Sequence, residues 1–250
     1  MMVMGSLKPD ARVLAEMGGL KAFLPHGFSL ENYRDVLARV RFGRYLFNSL
    51  FITLAVTGAG LLVNSLAGYA SARLEWRGRR LFQGTVLALL IVPFEAIAVP
   101  LFYQASLLGW RDTYLVQIVP FIANAFSIYL FHTFFLGLPR ALEEAARLDG
   151  AGPWRIFFTI AVPNARPAFA AAGVLTFLTQ WGAFLWPLMI TSGERVRPLP
   201  VGIAEFYTLP PLQWGDILAF GVMMVLPVLL VFLLFQRWFV QGIAATGLRQ

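Results

Sequence analysis

Glu143-Glu144-Ala145-Ala146-Arg147-Leu148-Asp149-Gly150, running on to Ile160-Ala161-Val162-Pro163, is a polar stretch set between very apolar ones. Pro139 suits the first turn of a helix, where its missing N–H would be unpaired in any case. Residues 140–148 are strong helix formers, with Glu143 and Glu144 near the positive N-terminal end. Gly150 falls where a helix end favours positive φ. Pro153 can open a second short helix, Trp154 to Val162, which Pro163 ends. The stretch therefore reads as two short helices with a kink between them, a compact knob.

The flanking sequence places that knob beside a membrane. Hydrophobic residues make up 58% of the 250, charged residues 13%, and mean hydropathy is +0.69, whereas a soluble domain carries roughly 25% charge. Five stretches reach the about 20 residues a bilayer demands: Tyr45–Ala70, Leu81–Tyr103, Tyr114–Phe135, Ala168–Ile190 and Ile217–Val240. Lipid forces each span to satisfy its own backbone, so the expected fold is all-α, a polytopic helical membrane protein forming one domain over 1–250. Cysteine is absent, which removes disulfides and thiolate metal sites. The pI near 10.2 reads as positive loops beside anionic lipid rather than nucleic-acid binding. No hydrolase, metalloprotease or phosphate-loop motif occurs, and His26 and His132 lie far apart. The expectation is no catalytic set, no cofactor, no metal, and no ATP site of the usual kind.

The order Glu-Ala-Ala, three residues, Gly, nine residues, Ile, then Pro resembles the "EAA loop" of inner-membrane permeases of binding-protein-dependent ABC importers. The resemblance implies that segment 139–163 faces the cytoplasm and docks into a cleft on an ATPase subunit. It assigns the coupling role to Glu143, Glu144, Ala145, Ala146, Asp149, Gly150, Ile160 and Pro163. The two alanines keep the helix thin enough for a cleft, and the two Glu could meet basic groups there. The implied partners are two ABC ATPase subunits, a second homologous permease subunit, an extracytoplasmic solute-binding protein and membrane lipid.

Other segments resemble the maltose-type carbohydrate permeases of that family: Phe28-Ser29-Leu30-Glu31-Asn32-Tyr33, Ser192-Gly193-Glu194-Arg195, Leu199-Pro200-Val201-Gly202, Trp214-Gly215-Asp216, and Gln236 to Gly242. Gly5-Ser6-Leu7-Lys8-Pro9 resembles the outer end of a first helix in that subfamily, which implies five of six typical spans here, with one upstream. The tail Thr246-Gly247-Leu248-Arg249-Gln250 departs from the subfamily's usual ending. Residues 5–44 read as an external segment. In it, Ser29 caps a helix whose face Leu30, Tyr33, Val36, Leu37 and Val40 lies on the membrane surface. The positive residues divide ten to ten between the two sides by helix parity, so the positive-inside rule ties. The EAA resemblance puts 71–81, 136–167 and the C-terminus in the cytoplasm of a cell inner-membrane protein.

Polar residues at span depth are functional candidates by default. Glu95, Asn124, Ser127, Gln180 and Trp181 are therefore expected to border a substrate path, amides and aromatic faces suiting a sugar. Gly60, Asn64, Gly68 and Ala72 recur every four residues, a stripe for close helix packing. The expected function is a permease subunit carrying a sugar or oligosaccharide by alternating access, driven by a separate ATPase. The alternatives are a secondary carrier or channel without an ATPase, and a non-transporting scaffold.

Overall fold

The computed structural model describes residues 1–16, 18–23, 27–208 and 210–247, with side chains described up to 234. His26, Arg249 and the end of the departing tail lie outside the described residues, as do the side chains of 236–242. Every regular element among the described residues is a helix, and none is a strand. In chain order the helices are α1 (Met2–Ser6), α2 (Asp10–Ala15), α3 (Glu31–Arg39), α4 (Phe42–Arg73), α5 (Arg79–Leu89), α6 (Phe94–Leu107), α7 (Tyr114–Ile122), α8 (Ala125–Leu136), α9 (Arg140–Leu148), α10 (Pro153–Ile156), α11 (Val162–Asn164), α12 (Arg166–Trp181), α13 (Leu185–Ile190), α14 (Leu199–Glu205) and α15 (Trp214–Gly247).

Prolines explain most of the breaks. Among the described residues three helical stretches are long and apolar enough to cross a membrane, Phe42–Arg73, Tyr114–Leu136 and Trp214–Leu234. The expected span Leu81–Tyr103 is instead a pair, α5 and α6, bent by 107°. Pro93 cannot continue α5 and disfavours helix at the residue before it. The expected span Ala168–Ile190 divides into α12, 16 residues, and α13, six residues. Pro187 would clash with the carbonyl of Ala183 in a continuous helix, so the chain opens there and restarts with Pro187 in the first turn. The count by length and composition is thus three spans, or four with the bent pair, against the five expected.

The chain forms two compact units. The first comprises Met1–Thr53, Gln104–Gln117 and Leu178–Leu233. Its buried residues include Val36, Tyr45, Ile190, Leu199, Phe206 and Phe220. Asn48 organises one side of it: its amide donates to the carbonyls of Arg195 at 3.2 Å and Arg197 at 2.8 Å, and its oxygen accepts from the Tyr114 hydroxyl at 2.6 Å. Pro120 has no N–H to give the Val116 carbonyl, and the Trp186 indole donates to that carbonyl at 3.0 Å.

The N-terminal helix α3 belongs to this unit and differs from its sequence reading. It starts at Glu31, not Leu30, although the Ser29 hydroxyl still accepts from the Glu31 N–H at 3.1 Å. Its buried positions are Asn32, Val36 and Val40, while Leu30 and Leu37 are exposed. The reason is that Asn32 donates to the carbonyls of Ser6 and Lys8, each at 2.8 Å, groups left open where α1 ends. A polar side chain thereby takes a core position.

The second unit comprises Leu54–Tyr103, Ile118–Phe177 and Leu234–Gln250. Its core is aromatic and alanine-rich: Tyr69, Phe131, Phe135 and Phe157 with Ala72, Ala161, Ala165 and Ala168. The small-residue stripe on α4 is the contact with α8. A Cβ on Gly68 would stand 2.5 Å from that of Phe131 and 2.9 Å from the His132 nitrogen, so only glycine permits this approach. Asn64 fastens the break between α7 and α8, donating to the Ile122 carbonyl at 3.0 Å and accepting from the Asn124 N–H at 2.9 Å.

Candidate functional site

The polar stretch Arg140 to Asn164 lies in the second unit. Pro139 ends as the residue before α9, extended at ψ 127°, rather than in its first turn. At the other end Gly150 has φ +78°. The Gly150 N–H bonds the Arg147 carbonyl at 3.0 Å and the Ala151 N–H reaches the Ala146 carbonyl at 2.9 Å. This paired closure satisfies two otherwise open carbonyls and turns the chain sharply. A Cβ at Gly150 would meet nothing within 4 Å, so the backbone conformation alone calls for glycine.

The helix expected over Trp154–Val162 takes another form. After α10 a π turn runs over Phe157–Ala161, and α11 carries the chain past Pro163 to Asn164. Pro163 cannot donate to the carbonyl four residues back. The wider π turn accommodates that loss and lets the helix continue where a stop was expected.

Burial divides the eight coupling candidates. Glu143 turns inward and is 7% exposed, while Ala146 and Ile160 pack partly against the aromatic core. Glu144, Ala145, Asp149, Gly150 and Pro163 face outward. They share that surface with residues the sequence reading did not single out. Leu148 is 89% exposed, and exposed Trp154 stacks on exposed Phe158 with ring centroids 6.4 Å apart. Large apolar side chains on an otherwise polar loop are the usual mark of a docking surface. Their signal was available: Ala141, Ala145 and Leu148 fall at i, i+4 and i+7, an apolar stripe on a short helix between membrane segments.

Behind this surface, Glu143 sits between two guanidinium groups. Arg73 Nε is 3.3 Å from its Oε1 and Arg147 Nη2 is 3.9 Å from its Oε2. Arg73 also donates to the Leu138 carbonyl. A polar cavity of about 300 Å³ opens beside them, bordered by Arg73, Arg140, Glu143, Glu144 and Arg147. Glu143 thus meets basic groups of its own chain.

The expected path residues lie on several different elements. Glu95 is exposed in the first turn of α6. Asn124 is the N-cap of α8, its oxygen accepting from the Ser127 N–H at 2.9 Å, and Ser127 is buried. Gln180 is half-buried. Trp181 is 3% exposed and donates to the Met224 carbonyl at 3.2 Å. Two of these side chains already serve the backbone, Asn124 by accepting an N–H at the start of α8 and Trp181 by donating to a carbonyl of α15.

Residues 39–245 match the family described as the inner membrane component of binding-protein-dependent transport systems. This chain belongs to that family. It is 32% identical over 249 residues to the arabinooligosaccharides transport system permease protein AraQ of Halalkalibacterium halodurans, covering 99% of this chain and 89% of that protein. It is 35% identical over 226 residues to the trehalose/maltose transport system permease protein MalG of Thermococcus litoralis, covering 88% and 81%. A solved structure of a bacterial ABC transporter involved in the import of the acidic polysaccharide alginate superposes with a TM-score of 0.85 at 25% identity, covering 95% of this chain and 88% of that one. The resemblance to carbohydrate permeases therefore holds across nearly the whole chain, and this inner-membrane component is a multi-pass transport subunit rather than an enzyme.

Proposed function

We propose that this inner-membrane component is one of two related permease subunits of an importer that moves a sugar or oligosaccharide. Two ATPase subunits work it by docking at 139–163 on the cytoplasmic side, and an extracytoplasmic solute-binding protein supplies the substrate. The observation that carries this reading is the outward face of α9 and its turn. Glu144, Ala145, Leu148 and Gly150 stand exposed on a knob that Gly150 holds in a glycine-favouring conformation. The saccharides named for the relatives, arabinooligosaccharides and trehalose/maltose, support the substrate class. ATP-driven closure of the ATPases moves the knob and rocks the spans between inward- and outward-open states.

The test uses Gly150→Asp and Ala145→Arg in the assembled importer. Asp at φ +78° costs about 1–3 kcal/mol of backbone strain and adds charge. Ala145 is a cleaner probe than Ala146, which is half-buried against its own core. Both variants should insert in the membrane and lose ATPase co-purification together with uptake of labelled oligosaccharides. Normal levels of both would leave the segment a solvated linker and favour a carrier that needs no ATPase.

A further inference from the structure

We propose that Arg73 is the positioning residue of the coupling segment: it fixes the rotation of α9 and ties the knob's movement to α4. This rests on the docking role of 139–163. Arg73 is the last residue of the 32-residue helix α4, and its side chain is 5% exposed. One of its nitrogens donates to the Leu138 carbonyl, two residues before α9 begins. Another lies 3.3 Å from Glu143 Oε1 inside α9. A single side chain thus holds both the segment entering α9 and the first turn of the knob.

The pair is mutually dependent. Arg73 Nε and Glu143 Oε1 are buried, have no hydrogen-bond partner among the described residues, and face each other at 3.3 Å. Arg147 stands on the opposite oxygen but is 57% exposed and 3.9 Å away, a weaker, solvent-screened contact. A buried ion pair adds little net stability over an apolar pair of similar size, so stability is a poor reason for this one. What charge adds here is direction. Successive helix residues turn by about 100°, so Glu143 pinned inward sends Glu144 and Ala145 outward. An apolar pair would pack over a range of rotations. Arg73 adjoins the aromatic core through neighbouring Ala72, so a push on α9 passes to α4 without crossing a flexible loop.

The chain has no cysteine, so one introduced thiol reports its own position. In the assembled importer, Arg73→Met and Arg73→Lys should still reach the membrane. Each should lower uptake per ATP hydrolysed by about tenfold. In the permease, Ala145→Cys should label much faster than Ala146→Cys, and Arg73→Met should erase that contrast. Exchanging the charges, Arg73→Glu with Glu143→Arg, should restore both readouts in part, because the exchanged pair attracts again while a carboxylate at position 73 cannot donate to the Leu138 carbonyl. An unchanged uptake-to-ATP ratio with an unchanged labelling contrast overturns the proposal, as does an exchange no better than Arg73→Glu alone. If Gly150→Asp has lost docking in the same assay, only the strut has failed. If Gly150→Asp docks normally, the docking role and the strut fail together.

Discussion

Helices α3 and α9 are each nine residues long and amphipathic, and each buries a charged or amide side chain, yet they are held in opposite ways. In α3 the polar groups are saturated. Arg39 donates to Gln213 and Asp216 at 2.6 Å each and to the Pro211 carbonyl at 2.8 Å, and Asn32 meets two carbonyls. In α9 one carboxylate is fixed, and the rest of the helix presents Glu144, Ala145 and Leu148 to the outside. The first arrangement fastens a segment into its unit. The second leaves one face of the helix exposed. Amphipathicity alone does not distinguish them; the number of bonds made by the buried polar residues does.

The largest effect expected from this contrast is at the ion pair that fastens α3 to Asp216 of α15. Asp216 is fully buried and Arg39 has 19% side-chain exposure. Asp216→Ala removes the countercharge of a partly buried cation that keeps Gln213 and the Pro211 carbonyl, a change that costs about 1.5–3 kcal/mol. Thermal unfolding of the detergent-solubilised chain should show a large loss. Glu144→Ala on the presented helix should leave the same unfolding curve in place. Equal sensitivity of the two helices would break the comparison.

A smaller loss is expected beneath the presented helix. Gly68→Ala places a Cβ 2.5 Å from that of Phe131, whose ring belongs to the core that Ala146 packs on. Overpacking of this kind costs about 1–3 kcal/mol. The measurement is again unfolding, compared with Gly43→Ala, where a Cβ would meet nothing within 4 Å. A Gly68→Ala as stable as Gly43→Ala would show that α4 and α8 can separate without loss.

Much of this was legible in the sequence. The all-helical membrane fold followed from runs of apolar residues, and the positive φ at Gly150 followed from its place after a run of helix formers. The packing stripe was visible as small residues every four positions, and glycine at 68 proved indispensable. What escaped was what proline does next. Pro93 bends a span through 107°, Pro187 divides another, and Pro163 yields a π turn instead of an end. A proline announces a missing donor, but the neighbour that compensates, such as Trp186 at the Val116 carbonyl, is distant in sequence. The same blindness affected the site. Glu143 and Glu144 are adjacent and identical in type, and only the position of Arg73, 70 residues away, separates the strut from the surface.

Asn124 gives a loss of middling size. Its oxygen caps α8 through the Ser127 N–H, and Asn124→Ala should cost about 1 kcal/mol of stability. If Asn124 serves the fold in this way, uptake per folded subunit should remain unchanged. A variant of normal stability with impaired uptake would return Asn124 to the substrate path.

The smallest effect on stability, and the sharpest on the comparison, is expected at Leu148. The side chain is 89% exposed and belongs to the last residue of α9. A surface change of this kind shifts stability by less than about 0.5 kcal/mol. Leu148→Ser removes an apolar group from water, so the isolated subunit should unfold as before and be no less soluble. Docking is different, because burying a leucine side chain against a partner contributes about 1.5–3 kcal/mol. Loss of that contribution weakens ATPase binding by about tenfold or more, since each 1.4 kcal/mol is a factor of ten. The equivalent change on α3, Leu37→Ser, also removes an exposed leucine, 60% accessible, and should leave ATPase affinity unchanged. Measured side by side in titrations of ATPase onto the permease, the two substitutions separate a presented helix from a fastened one. Equal affinities for both variants would mean that Leu148 is exposed in the assembly as well, and the docking face would then have to be carried by Glu144, Ala145 and Trp154 without it.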